Sequence, residues 1–88
     1  IKVGDLMDMT KVYDLNELNQ GLTKKIIQDV YKILEEKGYN PINQIVGYLM
    51  SGDPGYITSY GNARNMIMGL ERSKILEVLL KEFIKWNI

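Results

Sequence analysis

Apolar residues recur at helical spacing in the second quarter of the chain. A stripe with one apolar residue at every fourth position predicts a helix over residues 22–37, and charged residues take the opposite face. Gly38 is expected to end this helix, because glycine tolerates the left-handed conformation that is common just past a helix end. The stripe consists of Leu22, Ile26, Val30 and Leu34.

A second helix is predicted from Pro41 to Ser51. Asn40 can cap its free N–H groups, Pro41 fits a first helical turn, and Gly52 supplies the end. Gly47 lies inside this helix, where glycine costs about 1 kcal/mol relative to alanine, so we interpret it as a point of close packing by another helix. The predicted apolar side comprises Ile42, Ile45, Val46, Leu49 and Met50.

The remaining residues predict shorter helices joined by tight links. Asp53 and Pro54 repeat the cap-plus-proline pattern and predict a helical turn, followed by a loop over residues 58–62. Asn62 is expected to cap a further helix, and Ser73 is expected to cap the last one. The inward side predicted for the last helix comprises Ile75, Leu76, Leu79, Leu80, Phe83 and Trp86.

Together these elements predict an all-α fold, a compact bundle of four to five short helices. Residues 1–21 show no steady period and are predicted to form a flexible N-terminal arm, with residues 22–88 as a single helical domain. A chain of this length buries only roughly 60–65% of the surface that its unfolded form exposes. Its core is therefore thin, and a second copy or another protein is expected to cover part of its surface.

The composition argues against several kinds of chemistry. The chain has neither cysteine nor histidine, so it lacks disulfides, the usual zinc ligands and histidine acid–base catalysis. Glu35 and Glu36 lie on consecutive helix positions and do not face each other. We therefore expect no catalytic residues, no metal and no cofactor. No apolar stretch is long enough to cross a bilayer, which predicts a cytoplasmic protein without membrane insertion.

The charge balance bears on possible partners. A formal net charge of zero argues against nucleic-acid binding, which usually needs a basic excess. A small helical DNA-binding regulator remains the alternative function, because Asn43 and Gln44 could contact adenine from a helix-turn-helix. An enzyme subunit with no switch of its own is a third interpretation. The tyrosines and methionines in the middle of the chain fit either core packing or a protein interface.

Residues 36–54 carry the most specific pattern in the chain. They read EKGYNPINQIVGYLMSGDP and closely resemble the EKGYNPxNQIVGYLLSGDP block of the IreB family. The resemblance continues through residues 56–57, 62–65 and 70–72, and it covers roughly residues 8–85.

The resemblance implies a small, helical, homodimeric regulator of Gram-positive bacteria that is not an enzyme. It implies phosphorylation by a membrane-anchored Ser/Thr kinase with PASTA domains, and a role in peptidoglycan synthesis and cephalosporin resistance. At least some members control the Clp-dependent turnover of MurA, the enzyme of the first committed precursor step. The implied partners are therefore a second copy, the kinase, and MurA or the Clp protease machinery.

The family's phosphorylated threonine lies in the N-terminal arm, just before a short extended stretch. Thr10 matches that place within residues 9–15 and is the predicted phosphorylation site, whereas the second threonine of some members is replaced by Met7. A phosphate adds about −1.5 to −2 charges. It could repel an acidic partner, or fold the arm back onto Arg64 or Arg72.

The chain departs from the family at two basic positions. Residues 58–59 and 68–69 are uncharged where many members carry basic side chains, so part of the family's basic surface is missing. Arg64 and Arg72 remain the predicted partner-binding residues. The residues predicted to serve dimer or helix packing are Gly47, Tyr48 and Met50.

Overall fold

The computed structural model describes residues 15–87, which form four α-helices and two short 3-10 turns and contain no strand. The predicted all-α class and helix number are confirmed. The 3-10 turns, Pro54–Tyr56 and Tyr60–Asn62, both lie between the second and third helices. The helices are α1 (Leu15–Glu36), α2 (Pro41–Ser51), α3 (Ala63–Met68) and α4 (Arg72–Asn87).

Helix α1 begins earlier than its apolar pattern predicts. It starts at Leu15 rather than Leu22, so residues 15–21, which the sequence assigned to the arm, are helical. Leu15 and Leu18 stand at helical spacing before Leu22, so the apolar period begins earlier than predicted, and extending an existing helix gains one hydrogen bond for each residue fixed. Thr23 is buried, and its Oγ1 donates to the Asn19 carbonyl oxygen at 2.8 Å.

Both ends of α2 follow from local chemistry. The Asn40 side chain accepts a hydrogen bond from the Asn43 N–H at 3.1 Å, and Pro41 occupies the first turn. At the other end, Gly52 adopts φ +76° and donates its N–H to the Tyr48 carbonyl at 2.7 Å. The predicted bounds of this helix are therefore confirmed.

Two predicted caps are wrong. Asn62 has φ +64° and makes no side-chain capping bond to α3; its Oδ1 instead accepts from the Asn65 amide at 3.0 Å. A capping residue at the start of a helix ordinarily has extended backbone, whereas the backbone of Asn62 is left-handed. Helix α4 begins at Arg72, so Ser73 lies inside its first turn.

Helix α1 is the centre of the fold, because it packs against each of the other three helices. The core draws residues from every helix and also Ile57 from the link between the two 3-10 turns, which is fully buried. Its members are Val30, Leu34, Ile45, Tyr48, Ile57, Ala63, Ile67 and Ile75.

Several residues predicted to face inward are exposed. In α1, Leu22 is 58% exposed. The physical reason is the number of layers: within residues 15–87 no further layer covers the outer sides of α2 and α4, and Leu22 lines an open groove where α4 packs against α1. The other residues that this corrects are Ile42, Val46, Met50, Leu76, Leu79, Leu80, Phe83 and Trp86.

Candidate protein-interaction surfaces

The predicted phosphorylation site lies outside the described residues. Thr10 precedes Leu15, the first residue of α1, by five positions. The site residues that can be placed are the two arginines and the three residues predicted for packing.

Arg64 is tied to the link that precedes α3. Its Nε donates to the Ile57 carbonyl at 2.9 Å, and its backbone N–H donates to the Thr58 carbonyl at 3.1 Å. The side chain is half-buried. Arg64 therefore binds two consecutive backbone carbonyls, those of Ile57 and Thr58, and helps to hold this link in the fold.

Arg72 joins the start of α4 to the end of α2. Its Nη1 donates to the Leu49 carbonyl at 3.1 Å, and its guanidinium lies over Gly52. A positive charge at this place also offsets the negative end of the α2 dipole. The two arginines thus donate to carbonyls in different parts of the fold, Ile57 in the link before α3 and Leu49 within α2. Each guanidinium has five N–H donors, so these contacts leave donors for an anionic partner.

Gly47 is packed closely, but by an aromatic ring rather than by another α-helix. A methyl group at Gly47 would come within 2.9 Å of three ring atoms of Tyr56. The backbone of Tyr56 is fixed there because Gln44 Nε2 donates to its carbonyl at 2.9 Å. Gln44, considered above as a base-reading residue, therefore takes part in the fold. Tyr48 lies in the core, whereas Met50 is 82% exposed.

The outer side of α4 is an apolar surface that the sequence reasoning missed. At 100° per residue, Ile75 and Val78 face α1, and a second apolar side is turned about a third of the way around the helix. Two of its aromatic residues, Phe83 and Trp86, are 60% and 76% exposed. The two sides adjoin each other, since Ile75 and Trp86 are only about 20° apart around the helix, so the sequence gives no boundary between them. We call Leu76, Leu79, Leu80, Phe83 and Trp86 the α4 apolar stripe.

Helix α2 carries a smaller exposed apolar stripe. Ile42, Val46 and Met50 recur every four residues and are at least half exposed. No residue of α2 is charged. Contiguous exposed apolar residues on a helix mark interaction surfaces, and charged residues are depleted from interface cores. The chain therefore offers two helix faces suited to protein contacts.

Helix α4 also makes ion pairs, one across to α1 and two along its own surface. Lys24 of α1 pairs with Glu82 of α4, and the hydrogen bond from Lys24 lowers the pKa of the Glu82 carboxyl below its ordinary value. The Glu77 carboxylate pairs with two lysines: its Oε1 lies 3.1 Å from Lys81 Nζ, and its Oε2 lies 3.6 Å from Lys74 Nζ. The hydrogen bond from Lys81 is the main cause that lowers the pKa of Glu77.

Within residues 15–87, no group of three or more acidic, cysteine or histidine side chains is arranged to hold a metal ion. The same residues include no helix that is both long and apolar enough to cross a membrane.

These features describe a small helical protein whose distinctive parts are exposed surfaces for protein contacts. Comparison with known families narrows this class: the IreB family, described as IreB regulatory phosphoprotein, matches residues 8–85. The match spans nearly the whole chain, and the protein belongs to the IreB family. It confirms the resemblance seen in the sequence and supports a regulatory role rather than an enzymatic one. The matched residues include Thr10, Arg64 and Arg72.

Proposed function

We propose that this chain is a non-enzymatic switch that acts through protein–protein contacts and is controlled by phosphorylation of Thr10. The observation that carries the proposal is its membership of a regulatory phosphoprotein family, with a match that includes Thr10. The kinase is a membrane-anchored Ser/Thr kinase with PASTA domains, which the resemblance of residues 36–54 to the family block supports.

Phosphorylation acts here through local charge. A phosphate brings about −1.5 to −2 charges and three strong acceptor oxygens, and the chain it joins has no net charge. Phosphorylation of Thr10 therefore strongly changes the electrostatic potential of any surface that Thr10 contacts. Arg64 and Arg72 are the candidate partner-binding residues, with the guanidinium donors that their backbone contacts leave over.

The process that the switch regulates is peptidoglycan synthesis in the cytoplasm, with cephalosporin resistance as its outcome. The proposed route is control of Clp-dependent turnover of MurA, in which the chain contacts MurA or the Clp machinery. The support for this step is the family resemblance alone.

The proposed form of the protein is a homodimer. The α4 apolar stripe supports it, because five large apolar side chains lie along one exposed helix face. Two copies of such a stripe can pack against each other about a two-fold axis, which buries the same residues on both chains.

The proposal is tested by incubating the full chain with the catalytic domain of a PASTA kinase and ATP, and by measuring its intact mass. We expect one phosphate on the parent chain and none on Thr10→Ala. Ser59→Ala is the matched control, because Ser59 is an exposed hydroxyl in the link before α3 and should leave the modification intact. Modification that persists in Thr10→Ala would remove Thr10 from the mechanism.

A further inference from the structure

A groove of about 560 Å³ lies between the first half of α1 and the beginning of α4. Leu22 and Leu70 give it apolar surface, and Lys74 and Lys81 give it positive charge. The mixture of apolar and charged lining is suited to a peptide that carries both kinds of side chain. No residue of the α4 apolar stripe and no member of the core cluster lines this groove.

The groove and the α4 apolar stripe lie on different sides of α4. At 100° per residue, Lys74, Glu77 and Lys81 cluster within about 60° of one another. In the α4 apolar stripe, Leu80 lies about 60° from Glu77 and at least about 100° from both lysines, and the other four members lie at least about 100° from all three. A partner centred on Phe83 therefore leaves the lysines of the groove uncovered, so the two surfaces can be occupied at the same time.

We infer that the groove is the docking site for residues 1–14 of the same chain. The described chain begins at Leu15, about 6 Å along the helix axis from Asn19, which lines the groove. Fourteen extended residues span up to about 46–50 Å, whereas the stretch of α4 from Lys74 to Lys81 is only about 10 Å long. The segment therefore reaches the whole groove from its point of attachment.

The chemistry of the segment matches that of the groove. Its apolar residues are interspersed with three aspartates and two lysines. On α4, Lys74 and Lys81 share the carboxylate of Glu77, so an aspartate of the segment can serve the second ammonium group. Glu71, which also lines the groove, provides an acceptor for a lysine of the segment. The short tether raises the local concentration of the segment to the millimolar range, which favours it over a free peptide.

Docking has a consequence for regulation, and this consequence rests on the proposed function. Thr10 falls inside the docking segment, so the groove and the kinase compete for the same residues. A phosphate on a docked Thr10 would meet Glu71 and Glu77 as well as the two lysines of the groove. Modification therefore shifts the equilibrium between the docked and the undocked segment. The groove thereby links the modification site to the folded helices.

The test uses the unphosphorylated full chain and no kinase, so its result does not depend on whether Thr10 is the acceptor. The chain has no cysteine, and Met9→Cys therefore offers a single attachment point for a nitroxide spin label. We expect the amide signals of residues 19–23 and 70–81 to lose most of their NMR intensity, while those of α2 keep theirs. Broadening of α2 instead, or of no residue in the groove, would overturn the inference.

Two controls sharpen the result. Lys74→Glu with Lys81→Glu should restore the groove signals, whereas Lys32→Glu with Lys85→Glu, which makes the same charge change away from the groove, should not. Equal recovery in both double variants would overturn the role of the groove lysines. Mixing spin-labelled chains with isotope-labelled, label-free chains tests whether the segment comes from a second copy. Groove broadening in that mixture would overturn docking within one chain.

Discussion

The proposed dimer makes the most quantitative prediction, which concerns Phe83. Its side chain is 60% exposed on the α4 apolar stripe. Fully burying a phenylalanine is worth about 1.5–3 kcal/mol, so covering the exposed part is worth about 1–2 kcal/mol on each chain. Two-fold symmetry counts the loss twice, so Phe83→Ser should weaken the dimer by about 2–4 kcal/mol. The dissociation constant should rise by about 30- to 1000-fold.

Sedimentation equilibrium over a range of protein concentrations measures this change directly. Trp86 is the only tryptophan and lies on the same stripe, 76% exposed, so its emission should shift to the blue as the parent chain dimerises. Far-UV circular dichroism of the variant should remain helical, because Phe83 is not part of the core.

Met50→Ser is the matched comparison, because Met50 was predicted for dimer packing and is 82% exposed on the other apolar stripe. If the α4 apolar stripe forms the dimer, Met50→Ser leaves the dissociation constant close to that of the parent. A Phe83→Ser variant that dimerises as tightly as the parent would refute the assignment. Loss of the dimer only in Met50→Ser would move the interface to α2.

Three further predictions concern the stability of the fold. Ile57→Ala should cost about 2–5 kcal/mol in urea unfolding because Ile57 is fully buried, whereas the exposed Ile42→Ala should cost little; equal midpoints for the two would contradict the packing. Gly52→Ala should cost at least about 1–2 kcal/mol in the same assay, because φ is +76° and a methyl group would displace the guanidinium of Arg72; an unchanged midpoint would argue against this end of α2. Because Lys24 lowers the pKa of Glu82, the pair contributes stability above the ordinary glutamate pKa and loses it as the pH falls through the lowered value. In Glu82→Gln, thermal stability should therefore fall less steeply below about pH 4.5. An identical pH dependence in the variant and the parent would show that the pair adds nothing.

The roles of the two arginines show what the sequence could not supply. Their residue type and their place in the family pattern single out Arg64 and Arg72 as candidates for binding a partner. The structure adds that each one donates to a backbone carbonyl, Ile57 for the first and Leu49 for the second. The Arg72 contact spans 23 residues of sequence, so no local pattern could reveal it. Variants of either arginine will therefore affect stability as well as binding.

The packing at Gly47 also depends on a contact that the sequence does not show, although the two residues are closer along the chain. A glycine inside a helix signals that something approaches closely, and the sequence carries that much. The approaching group is the ring of Tyr56, which a tight link after α2 turns back over the helix. The conformation of that link depends on the Asp53 cap and the fully buried Ile57 together.

By itself, the sequence determined the family, the helical class and the bounds of α2. It did so because caps, prolines and left-handed glycines act within about four residues of chain, where neighbours in sequence are neighbours in space. Tertiary structure alone decided which apolar stripes are buried. Helix α4 has two apolar sides, and only its packing on α1 selects the one with Ile75 and leaves the α4 apolar stripe exposed for a partner.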